Sequence, residues 1–556
     1  MLTVKNLSIS FNQKGVINNI VQNISFKIKE NEILGIVGES GSGKSISTLA
    51  ILGLLPKITI IEGEILYKNI DLINLGEKDF LKIRGKEIAM IFQEPMSSLN
   101  PTLTCGIQVA EMLQQHTQLS NHKIKEEVIS LFSKVKLPRP EAIYDSYPHQ
   151  ISGGQKQRVM IAMAIACKPQ LLIADEPTTA LDVTVQKEII FLLKELQQEF
   201  KMGIVFISHD LALVSEIADS VVVMHKGKIV EKGSANHVFL HPKESYTKAL
   251  INSKPNTEKR LKTLPTVNDF INETIDSTVY TDEERTTFHQ KIYNRPPLLE
   301  IVNLHKDFIS NASWLSKSTI VKAVNNVSFK IYEGETLGLV GESGCGKTTL
   351  SRTILQLEKA TSGSILYNGT DITKLSRKDF KKLRKEIQII FQDPFSSLNP
   401  RITVGNAILE PMKVHTVLNS NKERKEYVCN LLEKVGLEAA HFNRYPHEFS
   451  GGQRQRIGIA RAIALQPKLI ICDESVSALD VSVQAQVLNL LNQLKTEFNL
   501  TYIFISHDLS IVKYMSDQLV VMNKGKVEEI ADADEIYQHP KTKYTQTLIE
   551  AIPKGI

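Results

Sequence analysis

At 556 residues the chain is longer than the roughly 250 to 300 residues at which a single hydrophobic core stops growing, so two or more domains are required. Its 42% hydrophobic and 23% charged residues are those of an ordinary globular protein and exclude disordered and fibrous classes. A formal charge of +5, from 66 basic against 61 acidic residues, is too small to carry a nucleic-acid footprint by itself and suits an anionic membrane or a nucleotide equally.

The opening residues, MLTVKNLSISFN, hold no basic segment followed by an apolar stretch, so no secretion signal is expected. The short apolar run at 33–37 is followed by GESGSGKS at 38–45 and a helix-like segment at 45–55. This is GxxxxGK[ST] between a strand and a helix, the context that makes it a P-loop. The backbone N–H groups of Gly38, Glu39, Ser40, Gly41, Ser42 and Gly43 can curl around phosphates at a helix N-terminus, with Lys44 neutralising β and γ oxygens and Ser45 ligating Mg²⁺. Next comes ISGGQ at 151–155. A serine and two glycines at a helix start, Ser152, Gly153 and Gly154 before Gln155, form a second phosphate cradle, one more than a single ATP needs within one domain. The apolar run at 159–167 falls well short of the roughly 18 residues of a membrane helix, so no span is expected. LLIADE then ends in Asp175 and Glu176, placed so that the first can hold a Mg²⁺ shell and the second polarise a water. His209 follows the strand-like IVFIS.

Residues 251–297 are rich in Thr, Asn and Pro and carry seven basic and seven acidic residues, which reads as a solvated linker between domains at 1–250 and 298–556. After it the whole pattern returns. GESGCGKT at 341–348 repeats the P-loop at an offset of 303 (341 − 38), with Gly341, Glu342, Ser343, Gly344, Cys345, Gly346, Lys347 and Thr348 in the same roles. FSGGQ repeats the second cradle at Ser450, Gly451, Gly452 and Gln453, LIICDE the acidic strand end at Asp473 and Glu474, and YIFIS precedes His507. A lone histidine after an apolar strand is more often a packed residue, and its recurrence is what selects it. The ends match too, HPKESYTKAL from 241 against HPKTKYTQTL from 539. Alternating strands and helices in each copy predict an α/β core with parallel strands.

P-loop, SGGQ, acidic strand end and histidine, together with Gln93 and Gln392 and the ALD segments at 180–182 and 478–480, resemble the ATPase subunits of ABC transporters over nearly all of both halves. The resemblance implies a duplicated P-loop nucleotide-binding domain, each copy with a mainly parallel core sheet, a β subdomain and a helical signature subdomain. It implies two ATP sites with Mg²⁺ at a head-to-tail interface: ATP on Lys44 faces 450–453, and ATP on Lys347 faces 152–155. Glu176 and Glu474 become general bases, His209 and His507 γ-phosphate sensors, and Asp182 and Asp480 cross-interface aspartates. Gln93 and Gln392 join Ser45, Thr348, Asp175 and Asp473 around the metal, while Phe11 and Phe308 stack on adenine.

QEPMSSLNP, QDPFSSLNP and the HPxxxxYT endings are similar to the oligopeptide and dipeptide importer branch, especially its fused double ATPases. That implies two transmembrane permeases as partners, coupled through the segments after Gln93 and Gln392, an extracytoplasmic solute-binding protein, peripheral attachment at the cytoplasmic face, and a peptide-like cargo. Cys105, Cys167, Cys345, Cys429 and Cys472 form no CxxC pair, so reduced thiols and no iron–sulfur cluster are expected. Cys345, in a P-loop at a helix N-terminus, is expected to be a reactive thiol shielded by nucleotide. Ile46 replaces the hydroxyl of Thr349, and Ser475 stands where the first half has Pro177. The competing reading, a soluble duplicated ABC protein acting on ribosomes or DNA, calls for a long basic helical linker, against which the balanced charge of 251–297 weighs. A regulatory module without turnover is disfavoured by the presence of both Glu176 and Glu474, and a sugar-importer double ATPase by the absence of a degenerate site. No nucleic-acid partner is expected.

Overall fold

The computed structural model describes residues 1–13, 15–93, 98–179, 181–256, 258–310, 319–393, 395, 397–477 and 479–553. Parts of the expected coupling segments (94–97, 394 and 396), and Ala180 and Ala478 of the ALD segments, lie outside the described residues. The chain divides into two bodies, one containing Met1–Asn252 with Val267–Glu273 and the other Ser253–Thr266 with Thr274–Ile552.

The first body is built on β1 (Leu2–Gln13), β2 (Val16–Ile28), β3 (Ile33–Val37), β4 (Thr59–Tyr67), β5 (Ile70–Asp71), β6 (Ile88–Ile91), β7 (Leu171–Asp175), β8 (Gly203–Ile207), β9 (Ser220–His225) and β10 (Lys228–Ser234). An antiparallel sheet of order β2-β1-β4-β5 carries the N-terminal residues. The core sheet has the order β10-β9-β3-β8-β7-β6 and is parallel except at β10. Every residue of β3, β7 and β8 is buried, because parallel strands covered on both faces are continuous apolar runs and do not alternate. Between β6 and β7 the chain forms the helices Cys105–His116, Asn121–Lys134 and Gly153–Ile165, whose inner faces pack Val109, Val128, Phe132, Val159 and Ile161 into one core.

The second body repeats this plan with β11 (Leu299–Ser310), β12 (Thr319–Ile331), β13 (Thr336–Val340), β14 (Ser362–Tyr367), β15 (Thr370–Asp371), β16 (Ile387–Ile390), β17 (Leu469–Asp473), β18 (Thr501–Ile505), β19 (Gln518–Asn523) and β20 (Lys526–Asp532). Its sheets have the orders β12-β11-β14-β15 and β16-β17-β18-β13-β19-β20. Each half is therefore the expected α/β cassette with a mainly parallel core sheet, a β subdomain and a helical subdomain.

Residues 271–284 of the segment expected to be a solvated linker are exposed, but other parts of it are docked. Leu264 is 1% exposed inside the core of the second cassette, and its backbone N–H and C=O exchange hydrogen bonds with the Asn489 side chain at 2.9 and 2.8 Å. Arg260 donates to the Ser516 carbonyl at 2.7 Å, and Arg285 to Asp532 at 3.0 Å. Arg285 also pairs with Asp534. These acids have no counterpart in the first cassette, where Ser234 and Asn236 occupy the matching positions at an offset of 298 (532 − 234). A helix at Asp282–Tyr293, capped by Thr281 and Glu284, brings the Tyr293 hydroxyl to Glu335 at 3.1 Å. The balanced charge of the segment conceals this docking, because its arginines find their acids on another part of the chain.

Two outcomes follow from that contact. Leu264→Ala leaves a cavity in a packed core and is expected to destabilise the second cassette by about 2 to 4 kcal/mol in denaturant unfolding; a loss under about 0.5 kcal/mol would be that of a solvated position. Glu335 is fully buried, and burial pushes its carboxyl up to about 7 from an ordinary 4.5. With the folded value raised, the cost of charging is absent below about pH 4.5 and complete above about pH 7. Glu335→Gln should therefore raise the thermal midpoint at pH 8 by more than at pH 5; an equal change at both pH values would show that the charge is not its source.

Candidate functional site

Each P-loop leaves a buried parallel strand and enters a helix, β3 into Lys44–Ile51 and β13 into Lys347–Ile354. Gly38 and Gly341 sit at φ +149° and +147°, and a Cβ on either would lie 2.1 or 2.2 Å from the carbonyl of Met224 or Met522. Only glycine lets the loop pass there. Lys44 Nζ donates to the carbonyls of Gly38 and Glu39 at 2.7 and 2.8 Å, and Lys347 Nζ to those of Gly341 and Glu342 at 2.6 and 3.0 Å. The lysines are thus folded over their own loops. In the second cassette a cleft of about 370 Å³ is lined by 343–344, 346–349, Glu474 and Val321.

β7 ends at Asp175, and Glu176 follows at φ +47°; in the second cassette Glu474 stands at φ +49° after β17. Their N–H groups still reach the next strand, bonding Ile207 and Ile505 carbonyls at 2.9 Å, and the left-handed turn then swings each carboxylate off the sheet edge. A non-glycine residue held there costs about 1 kcal/mol or more, and both copies hold it. Gln93 Nε2 donates to Glu176 at 3.1 Å, and Gln392 Nε2 to Glu474 at 2.5 Å. His209 Nδ1 lies 3.1 Å from Glu176 Oε2, and His507 Nδ1 3.6 Å from Glu474 Oε2. Burial alone would push both glutamates up, but the adjacent histidine, the P-loop lysine and hydrogen-bond donors reverse this and hold them below the ordinary carboxylate range. Asp175 and Asp473 are instead pushed up to about 6, chiefly by burial. Ser45 Oγ donates to Asp175 at 3.0 Å.

The cradle serines are helix caps. Ser152 accepts from the Gln155 N–H at 3.3 Å while its own N–H donates to Gln155 Oε1 at 2.9 Å, and Ser450 with Gln453 does the same at 3.4 and 3.0 Å. These reciprocal capping boxes start the helices Gly153–Ile165 and Gly451–Ile463. A Cβ on Gly154 or Gly452 would meet Val185 at 2.9 Å or Val483 at 2.4 Å, whereas Gly451 has open space. Those valines belong to helices that begin beside Asp182 and Asp480, so signature and aspartate segments pack on each other. Asp182 caps its helix by accepting from the Val185 N–H at 3.0 Å.

Three expectations are corrected or refined. Cys345 is 5% exposed, packs into the core behind the loop, and has its thiol pushed up by burial against the opposing effect of Lys347, whose Nζ lies 3.8 Å away; burial and the raised thiol both run against the reactivity expected of it. Its counterpart Ser42 is equally buried. Ile46 packs against the core of the β subdomain, while Thr349 lines the phosphate cleft. Phe308 is 40% exposed under the Lys306 ammonium, 4.8 Å from its ring centre, and its register partner Val321 lines the cleft; Phe11 is half-buried opposite Asn18. Nothing in the structure explains Ser475. A residue missed from sequence is Thr179, whose hydroxyl donates to Glu176 Oε2 at 2.8 Å. The matching Ser477 turns its hydroxyl to the Glu474 carbonyl at 2.9 Å instead, a difference that a Thr-to-Ser comparison does not reveal.

Comparison with known proteins agrees with this geometry. A family model described as ABC transporter matches residues 21–179 and 324–477. A second, described as oligopeptide/dipeptide transporter, C-terminal region, matches 230–273 and 528–555. The glutathione import ATP-binding protein GsiA of Pectobacterium atrosepticum is 43% identical over 563 residues, covering 100% of this chain and 89% of that protein. The protein of the same name from Salmonella choleraesuis is 44% identical over 562 residues, with the same coverage. A solved dimeric bacterial ABC transporter cassette is 30% identical, covers 42% of this chain and 99% of its own, and gives a TM-score of 0.39. With two P-loops, two ionised glutamates at parallel strand ends and relatives matched along its whole length, the chain belongs to the ABC transporter family, as a duplicated ATP-binding and ATP-hydrolysing subunit of the oligopeptide/dipeptide importer type.

Proposed function

We propose that the two cassettes pair head to tail and turn over ATP at two composite sites, and that this drives uptake of a short peptide or peptide-like solute. The observation that carries the reading is the glutamate of each cassette, lifted off the sheet edge by a left-handed turn, bonded to a glutamine from one neighbouring strand end and faced by a histidine from another at 3.1 or 3.6 Å. Phosphates take the place of the Gly38, Glu39, Gly341 and Glu342 carbonyls as partners of Lys44 and Lys347. Glu176 and Glu474, ionised at neutral pH, accept the proton of an attacking water, and His209 and His507 orient them and meet the γ-phosphate. Phe11 and Phe308 offer apolar faces to adenine.

The oxygen donors suit Mg²⁺, a hydroxyl against a buried carboxylate that burial leaves reluctant to stay charged without a cation. Ser45, Asp175 and Gln93 would hold it in the first cassette and Thr348, Asp473 and Gln392 in the second, and the ion would supply neutralisation of phosphate charge there. Across the interface, ATP on Lys44 meets 450–453 and Asp480, and ATP on Lys347 meets 152–155 and Asp182. The segment 251–297 joins the halves, with residues 253–266 and 274–297 belonging structurally to the second cassette and 267–273 to the first.

Among the described residues no helix is long and apolar enough to cross a membrane, which supports two separate permease subunits as the path for solute, fed by an extracytoplasmic binding protein, with this chain held on them at the cytoplasmic face. The relatives' printed names give glutathione as cargo, a peptide-like solute of the proposed class.

Crossing of the sites is tested with Gly451→Asp. A side chain is free to enter at Gly451 but collides with Val483 at Gly452, and aspartate suits the first turn of a helix, so the second cassette keeps its fold. In the head-to-tail pair the new carboxylate opposes the γ-phosphate on Lys44, at a cost of several kcal/mol in a partly dry interface. Combined with Glu474→Gln, which silences the second site's chemistry, it should lower ATPase by roughly a hundredfold or more while ATP binding at Lys44 persists. Residual activity near half of wild type would mean independent cassettes.

A further inference from the structure

The endings HPKESYT and HPKTKYT recur in both halves and have no part in the chemistry described so far. Tyr246 lies on the helix Ser245–Asn252 and Tyr544 on the helix Lys543–Glu550. Each hydroxyl oxygen accepts a hydrogen bond from the backbone of a P-loop, Tyr246 from the Glu39 N–H at 3.2 Å and Tyr544 from the Glu342 N–H at 3.1 Å. The same contact thus arises twice, between segments about two hundred residues apart in sequence.

The tyrosines are held where they are. The Glu231 carboxylate on β10 accepts from the N–H groups of Lys243 and Glu244 at 2.9 and 3.3 Å, and Glu529 on β20 from those of Lys541 and Thr542 at 3.1 and 3.4 Å. The turn before each helix is thereby pinned to the sheet. Tyr246 is 6% exposed and stacks on His225 with ring centres 4.0 Å apart. The second cassette has Asn523 in place of His225, yet Tyr544 keeps its contact with Glu342. The ring partner is dispensable to the arrangement, whereas the hydroxyl recurs.

The bonded N–H belongs to a residue whose carbonyl is occupied by the P-loop lysine, Glu39 by Lys44 at 2.8 Å and Glu342 by Lys347 at 3.0 Å. When a lysine leaves its loop for phosphate, that carbonyl anchor is lost, and the tyrosine bond still fixes the turn from which the following N–H groups are aimed. We infer that Tyr246 and Tyr544 are positioning residues of the two phosphate sites, through which the C-terminal region of each cassette sets its affinity for ATP. The inference rests on both P-loops being ATP sites. Neither tyrosine touches nucleotide; each acts through the loop.

The test is Tyr246→Phe, which keeps the ring and removes the hydroxyl that accepts from the loop, made in the full chain with Lys347→Ala so that ATP binding reports the first site alone. Loss of one hydrogen bond should raise the Kd for ATP, by equilibrium dialysis, roughly threefold to tenfold. Tyr544→Phe with Lys44→Ala should do the same at the second site. With both lysines intact, Tyr246→Phe with Tyr544→Phe should raise the KM for ATP and leave kcat at saturating ATP within twofold, a split that general loosening of the fold does not produce. Kd values unchanged within twofold in folded proteins would overturn the inference. Should a phenylalanine variant fail to fold, amide exchange of Glu39 and Glu342 in the wild-type chain without nucleotide decides: slow exchange is expected, and exchange at the rate of an unprotected amide would overturn it. Undiminished ATP binding after joint Lys44→Ala and Lys347→Ala would instead count against the P-loops as ATP sites, leaving the two failures distinguishable.

Discussion

Parallel pairing of β3 with β8 and of β8 with β7 is the constraint on which the rest of each cassette depends. Because β3, β6, β7 and β8 run the same way, everything that follows them emerges at one edge of the sheet: the P-loop after β3, Gln93 after β6, Asp175 and Glu176 at the end of β7, and His209 after β8. The ladder register places Asp175 opposite Ile207 and Ile36 opposite the same residue, so carboxylates, lysine loop and histidine lie within a few residues of a common line. A slip of one residue would turn every buried side chain of these runs to the opposite face. The glutamate then leaves that line by its left-handed turn, held by donors from either side. Rigid strands supply the precision here, and the loops supply the chemistry.

Duplication has not produced identical sites. Glu176 receives Gln93, Thr179 and His209, whereas Glu474 receives Gln392, has His507 at a longer distance, and lacks the third donor because Ser477 has turned to a carbonyl. Ile46 adds to a core where Thr349 lines a cleft. A carboxylate with more donors is a weaker base but better oriented, so the two sites balance ionisation against direction differently while sharing one plan.

The second cassette also holds most of the chain between the repeats. Arg260 and Arg285 meet Asp517, Asp532 and Asp534 in a half-buried network, and Leu264 adds an apolar anchor. Ionic contacts of this kind contribute specificity more than stability, since each charge loses hydration as it gains a partner. Asp517 has a counterpart in Asp219, but Asp532 and Asp534 are matched only by Ser234 and Asn236, so the first cassette offers the arginines fewer acids. The tyrosine contacts at the far ends of the cassettes show the opposite logic, one bond written identically into both.

The sequence by itself determined the duplication, the α/β class and most of the chemical groups, because these depend on local pattern: a glycine loop between strand and helix, an apolar run ending in two acids, a serine that caps a helix. Such signals survive without knowledge of distant contacts. Tertiary structure alone decided where the segment 251–297 docks, that Cys345 faces a core and is shut away from solvent, that Thr179 and Ser477 direct their hydroxyls differently, and that Tyr246 and Tyr544 reach loops about two hundred residues away. Each of these is a question of which partner lies opposite a side chain, and burial, the direction of a hydroxyl and the pairing of charges are set by residues remote in the chain, to which composition and periodicity carry no pointer.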